Sequence, residues 1–304
     1  QFSCDFLKTC ISCSEIKKNP LTETGMTLRS IGHQASASNI GNVNCQKKSI
    51  PCDRDCPAGM FELVKQSSVR GVLHSHTNMS GGPHSLSRLA ETASLIGLEY
   101  LGVTDRLMTP DQIVTQSAEI LKLNKNSDFK LLHGIEVEAD KDGNLPLPDD
   151  IMLICDFVIV TLKENHFQSK TAMTDRAIRA AMNPFTSILS HPLGDFMTMG
   201  ENNWIDMELV LMAAAQAGVA IEVDANPSHA KLDWHNCMLA QQFGVKLVIA
   251  SDVHRAARLV DYRHGAEMIR SAGVCCRQIL NSWGADEVKS FFGNYSATNS
   301  SASA

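Results

Sequence analysis

Seven short apolar runs, each followed by a stretch whose apolar residues recur at helical spacing, constrain the fold of this chain more than any other feature. Several of the helical stretches end in glycine just before the next run, as at Gly97, Gly218 and Gly244. Seven β-then-α units in a row predict parallel strands that are buried on both faces, and therefore a barrel or a doubly wound sheet. The predicted strands are 70–74, 100–104, 130–137, 157–162, 187–190, 219–224 and 245–251.

The two ends of the chain differ from this repeating part. Residues 1–66 are rich in Cys, Ser, Asn and Lys, and we interpret them as a weakly structured, Cys-rich lead-in. Two cysteine pairs in this segment, at positions 10 and 13 and at 52 and 56, have spacings that also suit a structural zinc site, which is the alternative. Residues 293–304 have low complexity and predict a disordered tail. The main domain is therefore expected at residues 67–292.

Composition disfavours several classes of protein. The formal net charge of −6 argues against broad electrostatic binding to nucleic acid. We find no run of about eighteen apolar residues and no signal-peptide pattern, and the cysteines outside the lead-in predict reduced thiols. A cytoplasmic location without a membrane partner is therefore predicted. The sequence also lacks a P-loop, a dinucleotide-binding turn and a serine-hydrolase elbow.

Side chains that can bind metal recur where the predicted strands end. They are His74, His76, Asp105, Glu136, His191, Glu222, Asp224, Asn226, Asp252 and His254. Because the carboxyl ends of parallel strands open onto one face of a barrel, we expect these side chains to converge. Residues two apart on a strand face the same side, so His74 and His76 can bind one ion. Mixed imidazole and carboxylate ligands favour zinc, manganese or iron over calcium or magnesium.

In these motifs the sequence resembles the PHP (polymerase and histidinol phosphatase) superfamily, over about residues 67–292. Its motifs are similar to those of the PHP domain of bacterial family X DNA polymerases, as in VRGVLHSHTNMSGG, LLHGIEVEADKDGNL, ILSHPLGDF and VIASDVHRAARLVDY. The resemblance implies a distorted (β/α)7 barrel that binds one to three Zn²⁺ or Mn²⁺ ions. It also implies hydrolysis of phosphomonoester or phosphodiester bonds in DNA ends or nucleotides, as in 3′–5′ exonucleases.

The resemblance also assigns site residues. The metal ligands it implies are His74, His76, Glu136, His191, Asp252 and His254. We also expect His191 and His254 to act in catalysis, by positioning phosphate, binding a further ion or transferring a proton. The first of the three metal sites in the family has all four of its ligands here, which are His74, His76, Glu136 and Asp252.

Three positions at which the family has a metal ligand are occupied by Gly81, Arg106 and Lys163. The second site therefore keeps one ligand and the third keeps two. We expect the guanidinium of Arg106 and the ammonium of Lys163 to bind phosphate in place of the missing metal charge. Loss of these ligands through decay of the function is the alternative.

The sequence thus predicts a metal-dependent phosphoesterase that acts on a phosphorylated substrate. Two other functions stay open. One is a PHP domain that binds metal or a phosphorylated ligand without turnover, and the other is a barrel that docks in a DNA-repair assembly.

Overall fold

Seven parallel strands, hydrogen-bonded in the order in which they occur along the chain, form the framework of the protein. The structure is a computed structural model, and it describes residues 62–125, 127–162, 169–190, 205–225 and 234–299, except for the side chains of 294–299. The strands are β1 (Gly71–Val72), β2 (Tyr100–Val103), β3 (Lys130–Glu138), β4 (Phe157–Thr161), β5 (Ile188–Ser190), β6 (Ala220–Asp224) and β7 (Leu247–Ala250). Each lies within the predicted run or extends past it by one residue.

Helices follow the strands and surround the sheet, so the predicted distorted (β/α)7 barrel is confirmed. The start of helix α2 follows from its local sequence. Thr109 and Gln112 form a reciprocal capping box, and Pro110 occupies the first helical position. The helices are α1 (Leu86–Leu95), α2 (Pro110–Asn124), α3 (Asp149–Met152), α4 (Lys170–Met182), α5 (Met207–Ala217), α6 (Trp234–Gln242), α7 (Tyr262–Ser271) and α8 (Ala285–Asn299).

The first and last strands of the barrel meet in two different ways. Towards their carboxyl ends, Ser75 and Val253 form a parallel bridge. Towards their amino ends, the buried amide of Asn281 fills the seam. Its Nδ2 donates to the carbonyl oxygens of Gly71 at 3.0 Å and Ile249 at 2.9 Å, and its Oδ1 accepts from the backbone N–H of Ile249 at 2.6 Å. One side chain thus replaces backbone pairing between β1 and β7.

Apolar side chains from the strands fill the barrel interior, and helix α8 closes the end at which the strands begin. Val288 and Phe292 of α8 are buried in the same cluster as Leu73, Tyr100 and Phe157. The rings of Phe157 and Phe292 stack with their centroids 5.3 Å apart. This end of the barrel is therefore closed by apolar packing. The polar side chains that could form a site lie at the opposite end.

The ends of the ordered domain differ from the predicted boundaries. Leu63 already pairs with Cys275, and Val64 is fully buried, ahead of the boundary expected at residue 67. Helix α8 continues to Asn299, through the first part of the tail predicted from residue 293, because a turn held by packing extends by backbone hydrogen bonds. The cysteines of the lead-in and residues 300–304 lie outside the described residues. None of the described helices has the length and hydropathy needed to cross a membrane.

Candidate metal centre

The segment His74–His76 lies between the ends of β2 and β7. Its central hydroxyl, Ser75 Oγ, donates to the carbonyl oxygen of Gly102 at 2.7 Å, and its last backbone N–H donates to the carbonyl oxygen of Val253 at 2.8 Å. Glycine is needed at position 102, because a Cβ there would lie 2.8 Å from the carbonyl oxygen of Leu73. These contacts hold both imidazoles at the open end of the barrel.

Four side chains, one from β3 and three from the segments that follow β1 and β7, meet at this open end. They are His74, His76, Glu136 and Asp252, and one possible ligand atom from each lies within 4.8 Å of the others. His76 Nε2 is 2.7 Å from Asp252 Oδ1 and 3.2 Å from Glu136 Oε2. His74 Nε2 lies 3.6 and 3.7 Å from the Glu136 and Asp252 oxygens, respectively. Ligands about 2.1 Å from one tetrahedral ion would be about 3.4 Å apart, so the four atoms have the spacing of a metal site.

The two imidazole nitrogens that face this point are buried. Despite the short distances, neither His74 Nε2 nor His76 Nε2 makes a hydrogen bond with a described residue. Burying one such atom without a partner disfavours folding by about 1–3 kcal/mol, so two together require a reason. A divalent cation would satisfy both, and imidazole with carboxylate is a donor set typical of zinc and manganese. The residues present therefore fit a metal ion.

Glu222 holds His74 from the side away from the cluster. Its Oε2 lies 2.7 Å from His74 Nδ1, and its Oε1 accepts from the hydroxyl of Ser190 at 2.7 Å. A neutral His74 that donates from Nδ1 presents the lone pair of Nε2 to the cluster. Burial by itself would lower the pKa of the metal-free His74, but the carboxylates of Glu222 and Glu136 outweigh burial and raise that pKa well above its ordinary value. A cation that binds at Nε2 would therefore displace a proton from this imidazole.

Asp252 and His254 form the more open edge of the cluster. Asp252 has a φ of 46°, in the left-handed region that non-glycine residues seldom adopt outside functional sites and turns. His254 Nε2 is 3.3 Å from Asp252 Oδ1, and the His254 ring stacks on His76 with the centroids 4.4 Å apart. His254 therefore adjoins the four ligands, and its side chain is partly exposed.

Asp105 does not join the cluster, contrary to its place among the strand-end side chains expected to converge. It accepts hydrogen bonds from the backbone N–H and hydroxyl of Thr77 at 2.7 and 2.6 Å, from the hydroxyl of Ser80, and from the amide of Gln116 at 2.6 Å. It lies on the side of β2 that faces helix α2, which explains the difference. Its role is to fix the loop that follows His76.

Comparison with known proteins assigns the chain to a family, although no family model matches it. Over 240 residues it is 28% identical to the DNA polymerase/3′–5′ exonuclease PolX of Bacillus subtilis (strain 168), which covers 76% of this chain and 42% of that polymerase. Over 227 residues it is 30% identical to a probable phosphatase of Thermoanaerobacter sp. (strain X514), which covers 69% of this chain and 90% of the relative. The chain belongs to the PHP superfamily.

A solved structure shows the same PHP fold. The crystal structure of histidinol phosphate phosphatase from Lactococcus lactis, in complex with zinc, L-histidinol and phosphate, matches with a TM-score of 0.52 and 15% identity. The match covers 67% of this chain and 94% of that one. By contrast, the chain spans less than half the length of the Bacillus polymerase.

Of the other predicted site positions in this PHP domain, the structure describes Gly81 and Arg106 but not His191 and Lys163. Gly81 ends a short 3₁₀ turn with a φ of 90° and offers no side-chain ligand. Arg106 is half-buried, and its guanidinium makes no hydrogen bond or ion pair with the described residues. Neither position supplies a ligand to the cluster. His191 and Lys163 lie outside the described residues.

Proposed function

We propose that this PHP protein is a metal-dependent phosphoesterase that hydrolyses phosphomonoester or phosphodiester bonds, with DNA ends or nucleotides as substrates. The observation that carries the proposal is the pair of buried Nε2 atoms of His74 and His76, which face the carboxylates of Glu136 and Asp252. Similarity to a probable phosphatase supports a phosphate ester as the substrate, and similarity to PolX supports DNA.

Four residues would hold the ion: His74, His76, Glu136 and Asp252. A zinc or manganese ion bound there supplies Lewis acidity towards a phosphoryl oxygen and makes water acidic enough to ionise near neutrality. Glu222 keeps His74 Nε2 directed at the site through its contact with Nδ1. The buried position of both imidazoles excludes bulk water from that side of the reacting phosphate.

His254 is suited to proton transfer or to binding a further ion. Its partly exposed ring stacks on His76 and contacts Asp252, so it can reach a substrate bound at the open edge. We assign the same two roles to His191, which the resemblance also gives as a ligand.

Arg106 would bind the phosphate. Its guanidinium makes no hydrogen bond or ion pair with the described residues. The residue follows the carboxyl end of β2, at the same end of the barrel as the cluster. A planar guanidinium can bind two phosphoryl oxygens at once, and it supplies part of the charge that a second metal would supply. We assign Lys163 a similar contact with phosphate.

A second candidate is a PHP domain that binds metal or a phosphorylated ligand without turnover. The observation that favours it is the absence of ligands at Gly81 and Arg106, because the family builds a further metal site there. This candidate shares the four-residue cluster with the first, so metal binding alone does not separate them.

Turnover separates the two functions. We expect the Mn²⁺- or Zn²⁺-loaded protein to hydrolyse bis-4-nitrophenyl phosphate, 4-nitrophenyl phosphate or a 3′-recessed DNA end. EDTA and His76→Ala should abolish this activity, whereas His264→Ala, on the exposed face of α7, should retain it. Hydrolysis that survives His76→Ala would contradict the proposed site. Metal binding without hydrolysis of any of these esters would favour the second candidate.

A further inference from the structure

Leu107 combines two unfavourable features. It is the most exposed large apolar side chain in the described part of the chain, with 97% of its surface accessible. It also has a φ of 56°, and the other described non-glycine residue with a positive φ is Asp252, in the metal cluster. For a leucine the left-handed conformation is disfavoured because Cβ crowds the following carbonyl oxygen. A residue kept in such a conformation points to a function.

The chain around Leu107 is fixed on both sides. Two residues before it, Asp105 is held by Thr77 and Gln116. One residue after it, Met108 is buried in the core, and α2 begins directly after that. The loop is therefore anchored at both ends, and the anchors leave the Leu107 side chain directed into solvent.

Leu107 lies at the same end of the barrel as the candidate metal cluster. It follows the carboxyl end of β2, and the carbonyl oxygen of Asp105 accepts the backbone N–H of Glu136, a proposed metal ligand, at 3.3 Å. Most of the other highly exposed apolar side chains, such as Leu95 and Leu121, lie on the helices that surround the barrel. Asparagine or glycine would fit both the exposure and the backbone conformation at position 107 better than leucine does.

We infer, on the basis of the proposed function, that Leu107 is a specificity-determining residue that packs against the organic part of the substrate while Arg106 binds its phosphate. The substrate class is then narrowed to phosphate esters whose organic group offers an apolar or aromatic surface. Small hydrophilic esters bind less tightly, because they leave Leu107 in water.

Two inert phosphonates test this in the full-length, metal-loaded protein. Isothermal titration should show tighter binding of phenylphosphonate than of methylphosphonate. Leu107→Asn should weaken phenylphosphonate binding by about tenfold, the effect of losing one apolar contact, and leave methylphosphonate unchanged. The same variant should melt about 2 °C higher, because asparagine tolerates a left-handed φ. Leu95→Asn, at the far end of α1, is the matched control and should not alter the ratio of the two affinities.

Each other outcome has a defined meaning. Equal affinities in the native protein, or an unchanged preference in Leu107→Asn, would overturn the role of Leu107, while methylphosphonate binding would still support the phosphate site. A preference lost in Trp234→Ala instead, an exposed residue at the start of α6, would also overturn it. If neither phosphonate binds, the proposed function fails and the inference fails with it.

Discussion

Glu222 determines which nitrogen of His74 is available to a metal. With the Glu222 carboxylate 2.7 Å from Nδ1, the proton of a neutral imidazole is held on that side and the Nε2 lone pair faces Glu136 and Asp252. Carboxylates that orient a metal-binding histidine commonly affect metal affinity by about 10- to 100-fold. The sequence marks Glu222 only as one more acidic residue at a strand end.

Glu222→Gln should weaken metal binding by about tenfold, because the neutral amide is a poorer acceptor for the Nδ1 proton. Competition with a chromophoric chelator measures the affinity. Glu91→Gln, on the exposed face of α1, is the matched control and should bind metal as the native protein does. An unaltered metal affinity in Glu222→Gln would show that Glu222 does not orient His74 for metal binding.

Gly81→Asp combined with Arg106→His should allow a second ion to bind beside His254. A Cβ at position 81 meets no atom within 4 Å, and aspartate is among the residues that tolerate a left-handed φ, so the change is compatible with the loop. Metal analysis should then find one ion more per chain than in the native protein. If the number of ions per chain does not change, the residues at positions 81 and 106 are not what prevents a second ion from binding.

Part of the site is predictable from the sequence, and part is not. His74, His76, Glu136 and Asp252 come together because each follows or ends a parallel strand, which the pattern already shows. Asp105 comes two residues after β2 and is directed towards Thr77 and Gln116, and the apolar run alone does not fix that direction. The contact of Glu222 with His74 joins residues 148 apart and depends on barrel closure.

At the scale of elements, helix α8 acts as the lower cap of the barrel. Val288 and Phe292 are the residues with which it enters the interior cluster, and Phe292 is 5% exposed. Lys289 of the same helix forms an ion pair with Asp156 at 2.9 Å. The helix therefore contributes to stability at the end opposite the metal centre.

Phe292→Ala should destabilise the protein by about 3–5 kcal/mol, because it leaves a cavity beneath Phe157. Urea unfolding measures the loss. Leu121→Ala, which removes a largely exposed side chain from α2, should change stability by less than about 0.5 kcal/mol. The folded Phe292→Ala protein should still bind metal with native affinity. A loss of affinity that matches the loss of stability would show that the two ends of the barrel are coupled.

The strands and most helices are predictable because their apolar residues are periodic, and the glycines expected to end two helices, Gly97 and Gly218, lie just after α1 and α5. Strand β1 ends at Val72, two residues before the predicted end at residue 74, and the next residue, Leu73, lies close against Gly102. The packing of Val64 against the barrel, three residues ahead of the expected domain, was not predicted. Val64 stands in a short segment without a helical or alternating apolar period, and such segments are ordered by tertiary contacts rather than by local pattern.

At the scale of the whole barrel, as far as the structure describes it, stability and the candidate metal site lie at opposite ends. The amino ends of the strands are closed by α8 and by the Asn281 amide, which serve stability. The carboxyl ends carry the histidines and carboxylates, as barrel enzymes do generally. Because β1 and β7 meet at a seam, His76 and Asp252, which follow these two strands, come together with Nε2 and Oδ1 2.7 Å apart.

The metal content of the protein tests the central claim most directly. After exhaustive dialysis, plasma mass spectrometry should find at least one zinc or manganese ion per chain in the native protein and in His264→Ala. It should find none in the variant that carries both His74→Ala and His76→Ala, provided that circular dichroism shows the variant to be folded. A native protein without metal, or a folded double variant that keeps its full metal content, would contradict the account.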